Sequence, residues 1–285
     1  MDLKGYFAKA MRERWAVGHF NFSTADQLKA IVEAAAEVKS PVMVGTSEGE
    51  AKFIGYDQAV ALVRSYQNEG HPVFLNADHH KSWETAKTAI DAGYDTVLID
   101  ASRLPYGENI AVTKKVVDYA KSVNQEIAVE GELGYLKGES RIQEKVKISP
   151  EDYTKLEEAR EFVNQTGIER LAIAFGNIHG IVMEQTEKLD FELLKKITAA
   201  VPGTALVLHG GSGLPAEDVK RAIEYGITNV HINTDLRLVY HEALAHELDR
   251  EPEQTTPYKY LTPSFEAMRD LVKQKLELFG SAGKV

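Results

Sequence analysis

The chain has 285 residues, a formal net charge of −10 at neutral pH, 44% hydrophobic and 27% charged residues, and no cysteine. Such an acidic balance argues against nucleic acid or an anionic membrane as a partner, and the lack of cysteine excludes disulfides and thiolate zinc sites, leaving His, Asp and Glu as strong ligands. No apolar stretch is long enough to cross a bilayer, and Met1-Asp2-Leu3-Lys4-Gly5-Tyr6 has no signal-peptide pattern, so the expectation is a cytoplasmic protein.

Reading apolar runs as buried strands and 3.6-periodic stretches as helices gives a strand near 16–22, a helix near 25–38, a strand near 42–46 and a helix near 56–69. The pattern continues with strands near 73–77, 96–100 and 126–132, followed by helices near 82–92, 108–123 and 154–165. Strands near 170–174, 205–208 and 229–232 alternate with helices near 190–200, 215–225 and 235–249, and a last helix falls near 263–279. Ser82, Asp190 and Pro215 suit helix starts. Eight strand and helix units with near-continuous apolar strands favour a single (β/α)8 TIM barrel over residues 1–285, with a C-terminal extra helix outside it. An open doubly wound sheet is the competing architecture, but Gly-x-Gly-x-x-Gly is absent after the first strand. The stretch of about 133–153 is too long for an ordinary connection and reads as a mobile lid.

In such a barrel the site lies at the C-terminal ends of the strands. His79, His179 and His209 each follow an apolar run, which suggests one metal site fed by three strands. A lone histidine is more often a surface or satisfied residue, but three at one topological level, two of them followed by glycine, reverse that weighting. The same rim carries Asn21, Ser47, Asp78, Asp100, Ser102, Glu130, Glu132, Ser212, His231, Asn233 and Thr234. Singly, Asn21 or Ser102 is most simply a turn or cap. No lysine stands at these strand ends, so a metal-assisted enolate route fits better than a Schiff base. The turn His209-Gly210-Gly211-Ser212-Gly213 precedes a helix, and Asn233-Thr234 opens the next; together they look built to hold a phosphate.

These motifs resemble the class II, zinc-dependent ketose-bisphosphate aldolases along nearly the whole chain. Gly18-His19-Phe20-Asn21, Ser47-Glu48-Gly49, Asp78-His79-His80, Glu130-Gly131-Glu132-Leu133-Gly134, Gly176-Asn177-Ile178-His179-Gly180 and Leu208-His209-Gly210-Gly211-Ser212-Gly213 carry the likeness. The resemblance implies that His79, His179 and His209 hold Zn2+, with Glu132 and Asp100 as secondary metal-site residues and Asp78 handling the proton on the aldehyde-derived oxygen. It also implies substrate and phosphate contacts from Asn21, Ser47, Gly180, Gly210, Gly211, Ser212, His231, Asn233 and Thr234, with a monovalent cation such as Na+ or K+ beside the phosphate. A small-molecule sugar phosphate is the implied partner, and a homodimer or homotetramer the implied assembly. Three positions depart from the family pattern. Asn76 and His231 stand where the family has histidine and asparagine, and Ser140 stands where the lid has its proton-moving glutamate, a role that Glu139 would take over. The expected reaction is reversible cleavage of a ketose 1,6-bisphosphate, foremost fructose 1,6-bisphosphate, to dihydroxyacetone phosphate and glyceraldehyde 3-phosphate. A tagatose-bisphosphate aldolase, a zinc hydrolase and a non-catalytic sugar-phosphate-binding barrel remain as alternatives.

Overall fold

The computed structural model describes residues 1–183 and 188–285. Its strands in chain order are β1 (Val17–Asn21), β2 (Val42–Ser47), β3 (Val73–His80), β4 (Thr96–Ile99), β5 (Ala128–Leu133), β6 (Gly138–Gln143), β7 (Arg170–Ile173), β8 (His179–Val182), β9 (Ala205–Leu208) and β10 (Ile227–Ile232). Eight of them close a parallel barrel in the order β1-β10-β9-β7-β5-β4-β3-β2, which is the expected (β/α)8 architecture. Strands β6 and β8 stand apart as a two-stranded pair.

The helices are α1 (Leu3–Glu13), α2 (Ala25–Glu37), α3 (Glu48–Ile54), α4 (Tyr56–Asn68), α5 (Trp83–Ala92) and α6 (Tyr106–Val123). They continue as α7 (Leu156–Thr166), α8 (Phe191–Ala200), α9 (Ala216–Glu224), α10 (Thr234–Arg250), α11 (Pro257–Tyr260) and α12 (Thr262–Leu278). Capping residues start several of them as the sequence suggests. The Ser82 side chain accepts from the Thr85 amide to begin α5, and the Asp190 side chain accepts from Leu193 to begin α8. Helix α12 is the expected extra helix and packs against α2 and α10.

Helix α1 lies ahead of the first strand, where the alternation gave no reason to expect a helix. Its Leu3, Tyr6, Phe7 and Ala10 share one face and pack with Trp15, Val17, Met43 and Ala205 in a cluster of their own. Because Val17, Met43 and Ala205 stand at or near the starts of their strands, this cluster closes the end of the barrel opposite the cleft. The stretch read as a lid also has more order than expected. It contains β6, which runs parallel to β8 with Gly138 paired to His179 and Gln143 paired to Val182. We refer to residues 138–143 as the strap.

Candidate metal centre and substrate cleft

Strand β3 delivers two adjacent functional residues to the rim. Strand alternation sends neighbours to opposite faces, but His79 has φ 44°, a left-handed conformation that costs a non-glycine residue free energy. Asp78 and His79 consequently both line the same cleft. His79 Nδ1 lies 3.0 Å from Asp100 Oδ2, and its Nε2 lies 3.1 Å from His209 Nδ1. His209 Nε2 in turn lies 2.8 Å from Glu130 Oε1. Ring centroids of His79 stand 4.8 Å from His179 and 4.6 Å from His209, both edge to face.

This donor set fits a divalent metal. Two imidazole nitrogens face each other at 3.1 Å while the other nitrogen of each ring is held by a carboxylate, the arrangement that orients histidine ligands. Asp78, His79 and His209 offer ligand atoms within 4.8 Å of one another, as do His79, Asp100 and Glu132. His179 flanks the first set, its centroid 6.1 Å from that of His209. His19, Asp78 and His231 form another compact group. The His19 and His231 rings, however, stack parallel at 3.7 Å and 7°. A metal lies in the plane of the imidazole that binds it, so parallel rings at that separation do not share one.

Charge follows this crowding. Burial works against an imidazolium at His79, but Asp78, then Asp100 and Glu132, outweigh it and push His79 up to about 10. Burial and then the nearby Asp100 push Glu132 up to about 8. Burial opposes ionisation of Asp78, yet the neighbouring His79 holds its carboxyl well below the usual carboxylate range. Burial and then His79 keep His179 well below the ordinary histidine value, and burial and then His209 do the same for His231.

The cleft measures about 370 Å³, within the usual range for small-molecule sites. One end is lined by hydroxyls and a guanidinium. Ser212, in the turn between β9 and α9, and Thr234, the first residue of α10, both line it, as does Arg237 one turn further along α10. The strap is tied here. Ser140 Oγ lies 3.1 Å from Thr234 Oγ1, and the Arg237 guanidinium donates to the Ser140 carbonyl and, at 3.0 Å, to its hydroxyl. At the other end Asn21 Nδ2 donates to Asp78 Oδ2 and to Glu50 Oε2, both at 2.9 Å. Ser47 and Glu50 form a capping box that starts α3 on the cleft wall.

The structure therefore gathers Asn21, Ser47, Asp78, His79, His179, Gly180, His209, Gly210, Ser212, His231, Asn233 and Thr234 on one cleft. The Gly211 amide donates to the His231 carbonyl at 3.2 Å. Gly211 also packs closely, since an added Cβ would meet that oxygen at 2.9 Å. Asp100, Glu132 and Glu139 lie with His79 and His179 on a second chamber behind the strap. The Glu139 carboxylate pairs at 2.9 Å with Arg141, both side chains 69% exposed. Sequence reasoning missed Glu50, Arg237 and the histidine-holding role of Glu130. The first was readable as Ser-x-x-Glu, and the second as a cation three residues after Thr234 on a helix.

A closed parallel barrel with histidines and carboxylates converging at its C-terminal rim, in a set that could hold a metal, defines a (β/α)8 enzyme class. The class-II fructose-bisphosphate aldolase family matches residues 1–284, and the chain belongs to that family of lyases. It is 35% identical over 288 aligned positions to a fructose-bisphosphate aldolase of Staphylococcus epidermidis and 36% identical to one of Geobacillus stearothermophilus, covering 100% of this chain and 98% of each relative. A solved structure, the YdjI aldolase from Escherichia coli K12, superposes with a TM-score of 0.84 at 31% identity, covering 99% of this chain and 98% of the other. The family is metal-dependent and acts on sugar phosphates.

Proposed function

We propose that this protein is a zinc-dependent aldolase that reversibly cleaves fructose 1,6-bisphosphate to dihydroxyacetone phosphate and glyceraldehyde 3-phosphate. The observation that carries the reading is a single cleft joining the buried Asp78 carboxylate, the histidine cluster and the Ser212, Thr234 and Arg237 end. His79, His179 and His209 would hold the zinc, with Asp100 and Glu132 as an alternative position beside His79. When bound, the metal supplies Lewis-acid polarisation of the ketone.

The chain's own residues do the rest. Asp78, held as a carboxylate beside His79, takes the proton from the C4 hydroxyl as the C3–C4 bond breaks and returns it on condensation. The Asn21 amide keeps the Asp78 carboxylate turned into the cleft. Ser212, Thr234, Arg237 and the backbone of Gly180 and Gly210 would hold one phosphate, with Na+ or K+ beside it, and Ser47 and Asn233 line the wall toward the sugar. Glu139 would carry the proton at C3 once the strap swings it away from Arg141. Assembly as a homodimer or homotetramer and a cytoplasmic location complete the proposal.

The test is triose phosphate formation with the purified protein, stripped by chelator and reloaded with zinc, using fructose and tagatose 1,6-bisphosphates in parallel. Cleavage should vanish on stripping and return with zinc. No triose phosphate from either sugar, with sugar-phosphate binding intact, would sink the proposal, and preference for the tagatose isomer would correct the substrate.

A further inference from the structure

Arg170 begins β7, yet its side chain is fully buried in the barrel interior. Charged side chains are found there only when paired. Its Nη2 lies 2.6 Å from Glu130 Oε2 and 2.9 Å from Asn76 Oδ1, and its Nη1 lies 3.1 Å from Asn229 Oδ1. A guanidinium only donates, so the atom that each asparagine turns toward it must be oxygen. Neither amide is free to flip. Asn76 Oδ1 also accepts from the Thr96 hydroxyl, and Asn229 Nδ2 donates to the Val17 carbonyl at 2.9 Å.

Each locked amide then dictates the proton position on a histidine. Asn76 presents its NH2 to His19 Nε2 at 3.1 Å, so that nitrogen accepts and the His19 proton sits on Nδ1. Asn229 presents oxygen to His231 Nε2 at 3.1 Å, so that nitrogen carries the proton. His231 Nδ1 is left with a lone pair. It is buried without a hydrogen-bond partner and stands 3.4 Å from Asp78 Oδ1, which is equally unpartnered. Both residues line the cleft. Two buried acceptors side by side are costly unless a ligand supplies donors to both.

We propose that Arg170 is a positioning residue that acts through Asn229 to fix His231 as the Nε2–H tautomer, so that His231 Nδ1 and Asp78 Oδ1 form a paired acceptor for adjacent hydroxyls of the ketose substrate. This rests on the aldolase reading for the identity of the ligand. The tautomer assignment itself does not. The pair makes the site selective for a vicinal diol, because a ligand lacking either hydroxyl leaves one buried acceptor unmet.

The experiment is long-range 1H–15N correlation of the histidine rings in the zinc-loaded protein, which tells protonated from bare ring nitrogens. His231 signals are identified by their loss in His231→Gln. The wild-type protein should show Nε2 protonated and Nδ1 bare. Arg170→Lys keeps the charge opposite Glu130 but not the fork that grips two amides, and Asn229→Leu removes the acceptor; both should populate the Nδ1–H form. Asn229→Asp, which keeps an acceptor, should restore the wild-type pattern. Asn229→Leu should also raise KM for fructose 1,6-bisphosphate about tenfold while kcat changes less, as loss of a contact shared by ground and transition states requires. A wild-type ring protonated at Nδ1, or at both nitrogens, overturns the tautomer assignment whatever the activity. An altered tautomer with unchanged KM overturns the acceptor role. If the wild-type protein cleaves no ketose bisphosphate, the substrate reading fails alone and the spectrum still decides the tautomer.

Discussion

Asp78 carries two demands at one position, since its carboxylate sits in the tight group with His79 and His209 and also faces the cleft as the proposed base. These roles separate in a variant. Asp78→Asn keeps the shape and removes the base, so turnover should fall by roughly 10²–10⁴, the usual worth of a positioned acid–base group, with zinc content by atomic emission unchanged. Loss of zinc in step with activity would make Asp78 a ligand instead. Glu130 gives the complementary case. It grips His209 Nε2 at 2.8 Å and touches no cleft surface, so Glu130→Gln should weaken zinc about 10–100-fold in chelator competition, the typical cost of losing a carboxylate behind a histidine ligand. His79, His209 and Asp78 were legible in the sequence because each ends an apolar run. The histidine-holding role of Glu130 and the place of Arg170 were not, because a charged residue inside a strand announces its partner only once the barrel closes and brings β5 and β7 together.

At the scale of elements, the strap sets the shape of the cleft. Ser140 is held by Thr234 and Arg237 from α10, and Gly180 of β8 lets the strap approach. Gly180 sits at φ 87°, and a Cβ there would come within 2.2 Å of the Glu139 carbonyl and 2.3 Å of the Arg141 carbonyl. Gly180→Ala should therefore expel the strap and speed tryptic cleavage after Arg141, with thermal stability lowered far less than by a core cavity. Arg237→Ala should free the same segment and raise KM for phosphorylated substrate, an effect Arg237→Lys should only partly reverse because the fork that reaches Ser140 is lost. The eight strands of the barrel were readable from their apolar runs, but β6 and β8 were not. Gly138-Glu139-Ser140-Arg141 has no buried face, and a strand without one leaves no period to read. Helix α1 did carry an apolar stripe, and it was missed because the strand and helix count begins at β1.

For the molecule as a whole, the rim stores charge that only a cation or protons can balance. Without metal, His79 rises from an ordinary 6.5 to about 10 and Glu132 from 4.5 to about 8. Both groups bind a proton more tightly in the fold than in the unfolded chain. Their contribution to stability is therefore complete at pH below those ordinary values and is lost as pH rises through about 8 for Glu132 and about 10 for His79. The melting temperature of the stripped protein should fall between pH 6 and pH 10, by an amount that differential scanning calorimetry resolves, while the zinc-loaded protein should change little over that interval. A flat profile for the stripped protein would show that these carboxylates and imidazoles are not coupled as the geometry requires.

The backbone of His179 belongs to two structures at once. Its amide donates to the Lys137 carbonyl at 2.9 Å, and its carbonyl accepts from the Gln143 side chain at 2.7 Å, while its ring centroid stands 4.8 Å from that of His79. Movement of the strap would therefore also disturb the backbone that carries that imidazole. If His179 holds zinc as proposed, a change in residues 138–143 should also change how long the metal stays, so zinc exchange rates would give a clock for strap opening even when no substrate is present.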